Sequence, residues 1–321
     1  MCTAVRFSDD KGNLYMGRNL DWSFSFGQFV VITPRGFQYA SPFRGQETPK
    51  HGAVIGMALT DNDTPLYFDC ANESGLAVAG LNFDNYAQYE KAPVDGKTNV
   101  AVYEFPLWVT MNFATVDEVE AALKDVAIVA HAVSSQYAVN FLHWIIGDGK
   151  RSIVVEYTER GMEVFHNDVD VLANQPDYHW HQENLRNYLN LSNDRPKDVK
   201  WGASAGMNPF GSGGDLHGIP GDYSSPSRFV RVAFLNTHYP TKDNEAENVS
   251  RLFHTLAGVS MIDGIAAMPD DNSQHEITTY TGGYSSAAKT YYYNTYDNPA
   301  IRSVSMSDYD LDSHELISVK Q

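Results

Sequence analysis

Residues 66–83 read LYFDCANESGLAVAGLNF: an apolar, β-rich run, a turn at Asn72–Gly75, and a second β-rich run. Two such runs around a short turn spell a β-hairpin. The pattern recurs along the chain. FVVITP (29–34) and AVIGMAL (53–59) are short strands bounded by turn residues, and the segment 141–176 holds three strands joined at GDGK and TERG. CTAVRF and LYMGRNLDW flank the turn DDKGN in an N-terminal hairpin, and YYYNTY and IRSVSM return to strand near the end. Helical spacing intervenes in few places. In TVDEVEAALKDVAIV, Thr115 is placed as N-cap with Glu118 three residues on, a capping box. Val116, Val119, Leu123 and Val126 then recur at the helical period. Two further helices are expected near 226–239 and 244–262. Strand–helix–strand alternation is absent, which argues against a parallel sheet and predicts an α+β fold with antiparallel sheets. No repeat, low-complexity tract or linker divides the chain, so residues 1–321 are expected to form one domain.

The 321 residues are 43% hydrophobic, ample for a large core. The formal net charge of −17 argues against nucleic acid as a partner, which needs a basic surface. It leaves room for an anionic small molecule held by a few local arginines. No stretch approaches eighteen uninterrupted apolar residues, so no membrane span is indicated. No basic segment followed by an apolar one marks a secretory start, and a cytoplasmic location is expected. Two cysteines, Cys2 and Cys70, do not make a disulfide framework. Cys70 lies inside an apolar run, where a free cysteine behaves as a small buried hydrophobe.

Several short motifs compete for attention and fail on context. GASAG (202–206) has the spacing of a nucleophile elbow around Ser204, but that motif needs a buried strand before the serine and a helix after it. Here NDRPKDVKW precedes it and MNPFGSGGDLHG follows. SAAK (286–289) lacks the companion motifs of the β-lactam enzymes. HWH (179–181) near Glu183 has no metal-binding spacing to support it and reads as a pair at a loop or helix start. GSGGD (211–215) lacks the Gly-Lys-Ser/Thr of a phosphate loop.

Cys2 is different. Aminopeptidases remove an initiator methionine before a small residue, and cysteine is small. The product carries a thiol and a free α-amine on one residue. A thiol pKa near ~8.5 and an α-amine near ~7.7–8.0 lie close to each other and to neutrality. The amine can therefore accept the thiol proton and later protonate a leaving amine, which is nucleophile–base chemistry within one residue. Such a site needs a cation for the thiolate, a carboxylate for the ammonium and donors for an oxyanion. Antiparallel pairing in the N-terminal hairpin would bring residues 17–21, including Arg18 and Asp21, alongside Cys2.

The start MC…GRNLDW, the hairpin end AGLNF (79–83), VLANQP (171–176) and GDYSSPSRF (221–229) together resemble the choloylglycine hydrolase family of N-terminal-nucleophile hydrolases, which contains bile salt hydrolases and penicillin V acylases. The resemblance runs from residue 2 to about the last strand. It implies a four-layer αββα sandwich of two antiparallel sheets, loss of Met1, Cys2 as nucleophile and its freed α-amine as base. It further implies Arg18 against the thiolate, Asp21 on the ammonium, Asn174 and Asn82 as oxyanion donors, and Arg228 supporting the electrostatics of the pocket. The chain departs from the family at Ala173, where relatives commonly carry threonine; a local hydrogen-bonding hydroxyl beside Asn174 is lost. Asn82, where penicillin V acylases often carry tyrosine, points to glycine- and taurine-conjugated bile salts as substrates. Penicillin V or another N-acyl amide is the alternative within the family, and a non-catalytic small-molecule binding protein the alternative outside it. Leu20, Phe24 and Phe26 are candidates for an apolar substrate wall. No cofactor is expected, since every role in amide hydrolysis is filled, and a homo-oligomer, up to a tetramer, is the expected assembly.

Overall fold

The computed structural model describes residues 1–202, 206–268 and 271–320. Ser204, with the centre of the GASAG segment, lies outside the described residues. The first hairpin is β1 (Cys2–Ser8) and β2 (Leu14–Trp22), followed by β3 (Phe29–Thr33) and a small ribbon, β4 (Tyr39–Ser41) with β5 (Gly45–Glu47). A meander, β6 (Val54–Asp61), β7 (Thr64–Asn72) and β8 (Ala77–Asn82), precedes β9 (Thr98–Ala101), α1 (Phe105–Asn112), α2 (Val116–Leu123) and β10 (Val126–Val129). Next come β11 (Leu142–Gly147), β12 (Ser152–Thr158), β13 (Gly161–His166) and the short β14 (Val171–Leu172). Three helices follow: α3 (Tyr178–Asn184), α4 (Ser225–His238) and α5 (Glu245–Ala257). A second small ribbon, β15 (Ala267–Met268) and β16 (Asp271–His275), leads to β17 (Ile277–Ser285), β18 (Thr290–Thr295), β19 (Asn298–Ser305) and β20 (Ile317–Val319).

Two antiparallel sheets dominate. One has the order β14-β1-β2-β17-β18-β19, the other β13-β12-β11-β8-β7-β6-β3-β20. Their facing sides share one apolar core, in which Ala4, Met16 and Leu20 meet Ile55, Met57, Ala79 and Leu81. The outer face of the second sheet buries Val78, Trp144, Ile146 and Val155 against Phe105, Trp108 and Val109 of α1 and Val116, Val119 and Leu123 of α2. Helices α4 and α5 cover the outer face of the first sheet. There β2 and β17 carry Gly17 and Gly283, and a Cβ on Gly283 would lie 2.5 Å from the Leu252 side chain of α5. The layers therefore run helix, sheet, sheet, helix, the αββα order that the resemblance implies.

The expected strands form, and so do the turns that pair them. In the first turn Asp9 Oδ1 accepts from the Lys11 and Asn13 amides while Gly12 takes a φ of +81°, which glycine adopts at little cost. Three details differ from the sequence reading. Val126 is not on the α2 stripe: that helix stops at Leu123, and the β-branched run Val126–Val129 pairs in parallel with β9. Glu118 Oε2 accepts from the Ala114 amide, one residue before the Thr115 cap, whose Oγ1 accepts from Glu118 N. Helix α5 ends at Ala257, not 262, and the carbonyl of Leu256 is taken by Asn19 Nδ2 of β2 at 2.9 Å. The SAAK segment is the β17–β18 turn, with Ser286 hydrogen-bonded to both backbone groups of Leu14. Cys70 is buried beside Thr110, and burial pushes its thiol up, the behaviour of a structural cysteine.

Candidate active site

The register of the first hairpin sets Cys2 opposite Leu20 and Ala4 opposite Arg18. Directly opposed residues share a face, so Arg18 and Cys2 both look toward the second sheet. Arg18 is buried there and donates from Nη1 to the Gly80 carbonyl of β8 at 2.9 Å. Burial opposes its charge, but Cys2, Tyr280, Asp69 and Asp21 outweigh it and raise its pKa. Its Nη2 has no hydrogen-bond partner among the described residues. On the other side of β1, β14 sets Leu172 opposite Ala4. The chain then continues to Asn174, whose Oδ1 accepts from Cys2 N at 2.7 Å.

Helix α4 supplies the second buried cation. Arg228 donates to the Cys2 carbonyl and to Thr3 Oγ1, to Asn174 Oδ1 at 2.7 Å and to the Tyr223 carbonyl at 3.0 Å. One side chain thus ties the nucleophile strand, the Asn174 segment and its own helix start together. Asn174 Nδ2 donates to the Asn82 carbonyl at 2.7 Å. A side-chain amide carries two N–H donors, so one remains for another acceptor.

Asp21 lies on β2 one residue past Leu20 and is fully buried. Its Oδ1 accepts from Thr278 Oγ1 at 2.6 Å, while Oδ2 has no partner among the described residues. Burial pushes its carboxyl up, against the pull of the N-terminal ammonium and of Arg228. Met1 extends β1 past Cys2: its ammonium donates to the Asp21 carbonyl at 2.8 Å and to Glu276 Oε2, and its carbonyl accepts from the Asp21 amide at 2.8 Å.

A cavity of about 290 Å³ opens onto Cys2, Arg18, Asp21 and Asn82. Its walls are mostly apolar and aromatic, from Leu20, Trp22, Phe26, Leu66, Phe68 and Tyr137 among others. Leu20 and Phe26 line this cavity. Phe24 does not: it is 53% exposed and outside the cavity lining, with its ring 5.0 Å from Phe26 and 6.4 Å from Trp22. The loop Ser23–Gly27 turns it to solvent and leaves it to support Phe26 from behind. Among the described residues no cluster of three or more His, Cys, Asp or Glu is gathered to hold a metal ion.

Glu276, Thr278 and His181 carry part of the site without having been legible as members. His181, in the HWH segment, turns inward on α3 and donates from Nε2 to the Asn174 carbonyl at 2.9 Å. With His143 Nε2 holding the Ala173 carbonyl at 2.8 Å, Asn174 is fixed although the threonine hydroxyl is missing. The only signal for His181 in the sequence was Asp177, which caps α3 and sets its inward face.

Burial lowers the His181 pKa from 6.5 to about 4. The unfolded chain therefore binds the extra proton first, and stability contributed by the neutral ring is complete above pH 6.5 and lost as pH falls toward 4. The full difference is about 3 kcal/mol. His181→Gln, whose amide can still donate to Asn174, should lose this part of the slope. Urea unfolding at pH 4.5 and 7 should show a smaller acid destabilisation for the variant than for the parent; equal slopes would contradict a buried neutral His181.

The sequence profile of linear amide C–N hydrolases of the choloylglycine hydrolase family matches residues 2–319. The bile salt hydrolase/transferase of Bifidobacterium longum subsp. longum is 58% identical over 319 residues, 99% of both chains. The conjugated bile acid hydrolase of Lactobacillus acidophilus is 43% identical over 99% of this chain and 100% of its own. The crystal structure of the mutant C2A conjugated bile acid hydrolase from Clostridium perfringens superposes with a TM-score of 0.92 at 36% identity, covering 100% of this chain and 97% of that one.

Proposed function

The chain belongs to the choloylglycine hydrolase family of linear amide C–N hydrolases, and from that premise we propose that it hydrolyses glycine- and taurine-conjugated bile salts with Cys2, freed of Met1, as nucleophile. The observation that carries this is the convergence at Cys2: buried Arg18, Asn82 and the Asp21 carboxylate, one of whose oxygens is unpartnered among the described residues, open with Cys2 onto one apolar cavity, while buried Arg228 and the Asn174 side chain hold the Cys2 backbone.

Removal of Met1 turns Cys2 N into an α-amine held by Asn174 Oδ1, with the Asp21 carboxylate as its counter-charge. The amine takes the thiol proton, and the thiolate, facing Arg18, attacks the amide carbonyl. The oxygen of the tetrahedral intermediate is stabilised by the remaining Asn174 N–H and by the Asn82 side chain. The ammonium returns its proton to the departing glycine or taurine nitrogen, leaving an acyl thioester on Cys2. Water, deprotonated by the same amine, attacks the thioester; the C–S bond breaks, the free bile acid leaves, and the α-ammonium returns its proton to the Cys2 thiolate. Arg228 holds Cys2 O and Asn174 in one frame throughout. Every step is supplied by these side chains and the α-amine. A cytoplasmic homo-oligomer acting on this small-molecule substrate completes the proposal; among the described residues no helix is long and apolar enough to cross a membrane.

The apolar walls match the broad face of a steroid, and burying such area contributes about 25 cal/mol per Å². The amino-acid half is small and charged and adds less grip. Purified Met1-free enzyme should therefore show kcat/KM values for glycocholate and taurocholate that differ modestly, with penicillin V much poorer than either. Penicillin V cleaved as efficiently as the better bile salt would move the substrate assignment to the acylases.

A further inference from the structure

Two buried ionisable side chains outside the cluster around Cys2 touch both segments that carry the amide donors. His143 on β11 and Glu156 on β12 are fully buried. Glu156 Oε1 lies 2.9 Å from His143 Nδ1 and also accepts from the backbone N–H of Tyr178, the first residue of α3, at 3.0 Å. His143 Nε2 faces the Ala173 carbonyl at 2.8 Å. A carbonyl only accepts, so Nε2 carries a hydrogen, and a proton is shared between Nδ1 and Oε1 whichever atom bears it.

The ring also reaches the other donor. It stacks on Phe83, with centroids 4.1 Å apart and planes within 7°. Phe83 directly follows Asn82, and Leu142, beside His143, is the register partner of Asn82 across β11 and β8. One imidazole therefore grips the residue before Asn174 by a hydrogen bond and the residue after Asn82 by a stack. The two donors are joined directly as well, through Asn174 Nδ2 and the Asn82 carbonyl.

Such a pair is an expensive way to hold a core together, since a buried ionic pair can usually be replaced by apolar side chains without loss of stability. Its placement between the two donor segments gives it another use. We propose that the His143–Glu156 pair is a positioning device that fixes the spacing of Asn82 and Asn174 around the oxyanion. This rests on the hydrolase reading above. His143 and Glu156 touch neither substrate nor Cys2; they act through the backbone of Ala173 and the ring of Phe83.

The test uses the Met1-free enzyme carrying His143→Phe together with Glu156→Gln. Phenylalanine keeps a ring against Phe83, and the glutamine leaves no unpaired buried charge. Displacement of donors by about 1 Å costs on the order of 10²-fold in rate. The double variant should lose about that in kcat on glycocholate, with KM close to the parent's. Alkylation of Cys2 by iodoacetamide should proceed at the parental rate, because displacement of iodide builds no oxyanion. Parental kcat in the folded variant overturns the proposal, and so does a parallel loss of kcat and alkylation rate. If the double variant does not fold, Glu156→Gln alone, isosteric with the parent, is measured in the same way: a smaller loss confined to kcat supports the proposal, and parental kcat overturns it. The parent is assayed alongside. A parent that turns over glycocholate while the variants match it defeats only the positioning role; a parent with neither turnover nor Cys2 alkylation defeats the hydrolase reading, and this proposal with it.

Discussion

Cys2→Ser should lose turnover by on the order of 10⁴-fold or more, with thermal melting unchanged. The reason is chemical. A serine hydroxyl stays protonated where a thiol gives up its proton, and the α-amine is a weak base for an alcohol. In the proposed reaction Arg18 faces a stable anion on sulfur, which the serine form would not present. The side chain itself contributes little packing, being one small member of a core that spans both sheets. Turnover and melting are measured on the same preparation, after intact mass shows that Met1 has been removed from the variant. Near-parental kcat in the serine form would remove Cys2 from the reaction.

Asp21→Asn should cost about 10²–10⁴-fold in kcat, the range for a misplaced or mistuned general base, with a smaller change in KM. Asp21 does not have to touch the scissile amide to matter. It is a buried carboxylate whose free oxygen has no partner among the described residues, and the ammonium of Met1, one residue ahead of the Cys2 nitrogen, is the first of the charges that favour its ionised form. Asparagine keeps the size and can still accept from Thr278, so the fold is retained while the negative charge is lost. The α-ammonium then lacks its counter-charge and orientation. Steady-state kinetics on glycocholate decide the matter: an Asp21→Asn enzyme with parental kcat would reduce this carboxylate to a structural partner of Thr278.

The parts of the molecule that were legible in the sequence are those set by local pairing. The turn at Asp9–Gly12 fixes the register of β1 and β2, and with it the neighbourhood of Cys2, Arg18 and Leu20. The hairpin through Asn72–Gly75 was legible for the same reason, with Asn72 Oδ1 accepting from Leu76 N across the turn. The resemblance added Asn82, Asn174 and Arg228, which converge although far apart in the chain. What stayed hidden depends on partners that alternation cannot name. A period of two tells which face a strand residue takes, but not which strand lies beside it. So β17, pairing with β2 across more than half the chain, brought Thr278 to Asp21, Tyr280 beside Arg18 and Glu276 to Met1 with no sequence signal. Tyr280 and Tyr291 both donate to the buried Asp69, which lies among the charges acting on Arg18. His143 carried no sequence signal, and His181 read only as one of a histidine pair at a loop or helix start, because the contacts that tie both to the Asn174 segment are to backbone carbonyls. Phe24, exposed and outside the cavity lining, shows the converse limit: proximity to Cys2 in sequence says nothing about which way a loop side chain turns.

The proposed chemistry stands on a covalent intermediate at the processed N-terminus, and that species can be weighed. Met1-free enzyme is mixed with glycocholate, quenched with acid within a single turnover and examined by intact mass and N-terminal peptide mapping. The expected result is a population heavier by one cholyl group, with the adduct on Cys2 of a chain that begins at Cys2, and no such species from Cys2→Ser. Release of glycine with the N-terminal peptide unmodified at every quench time, or a cholyl adduct on a residue other than Cys2, would contradict it.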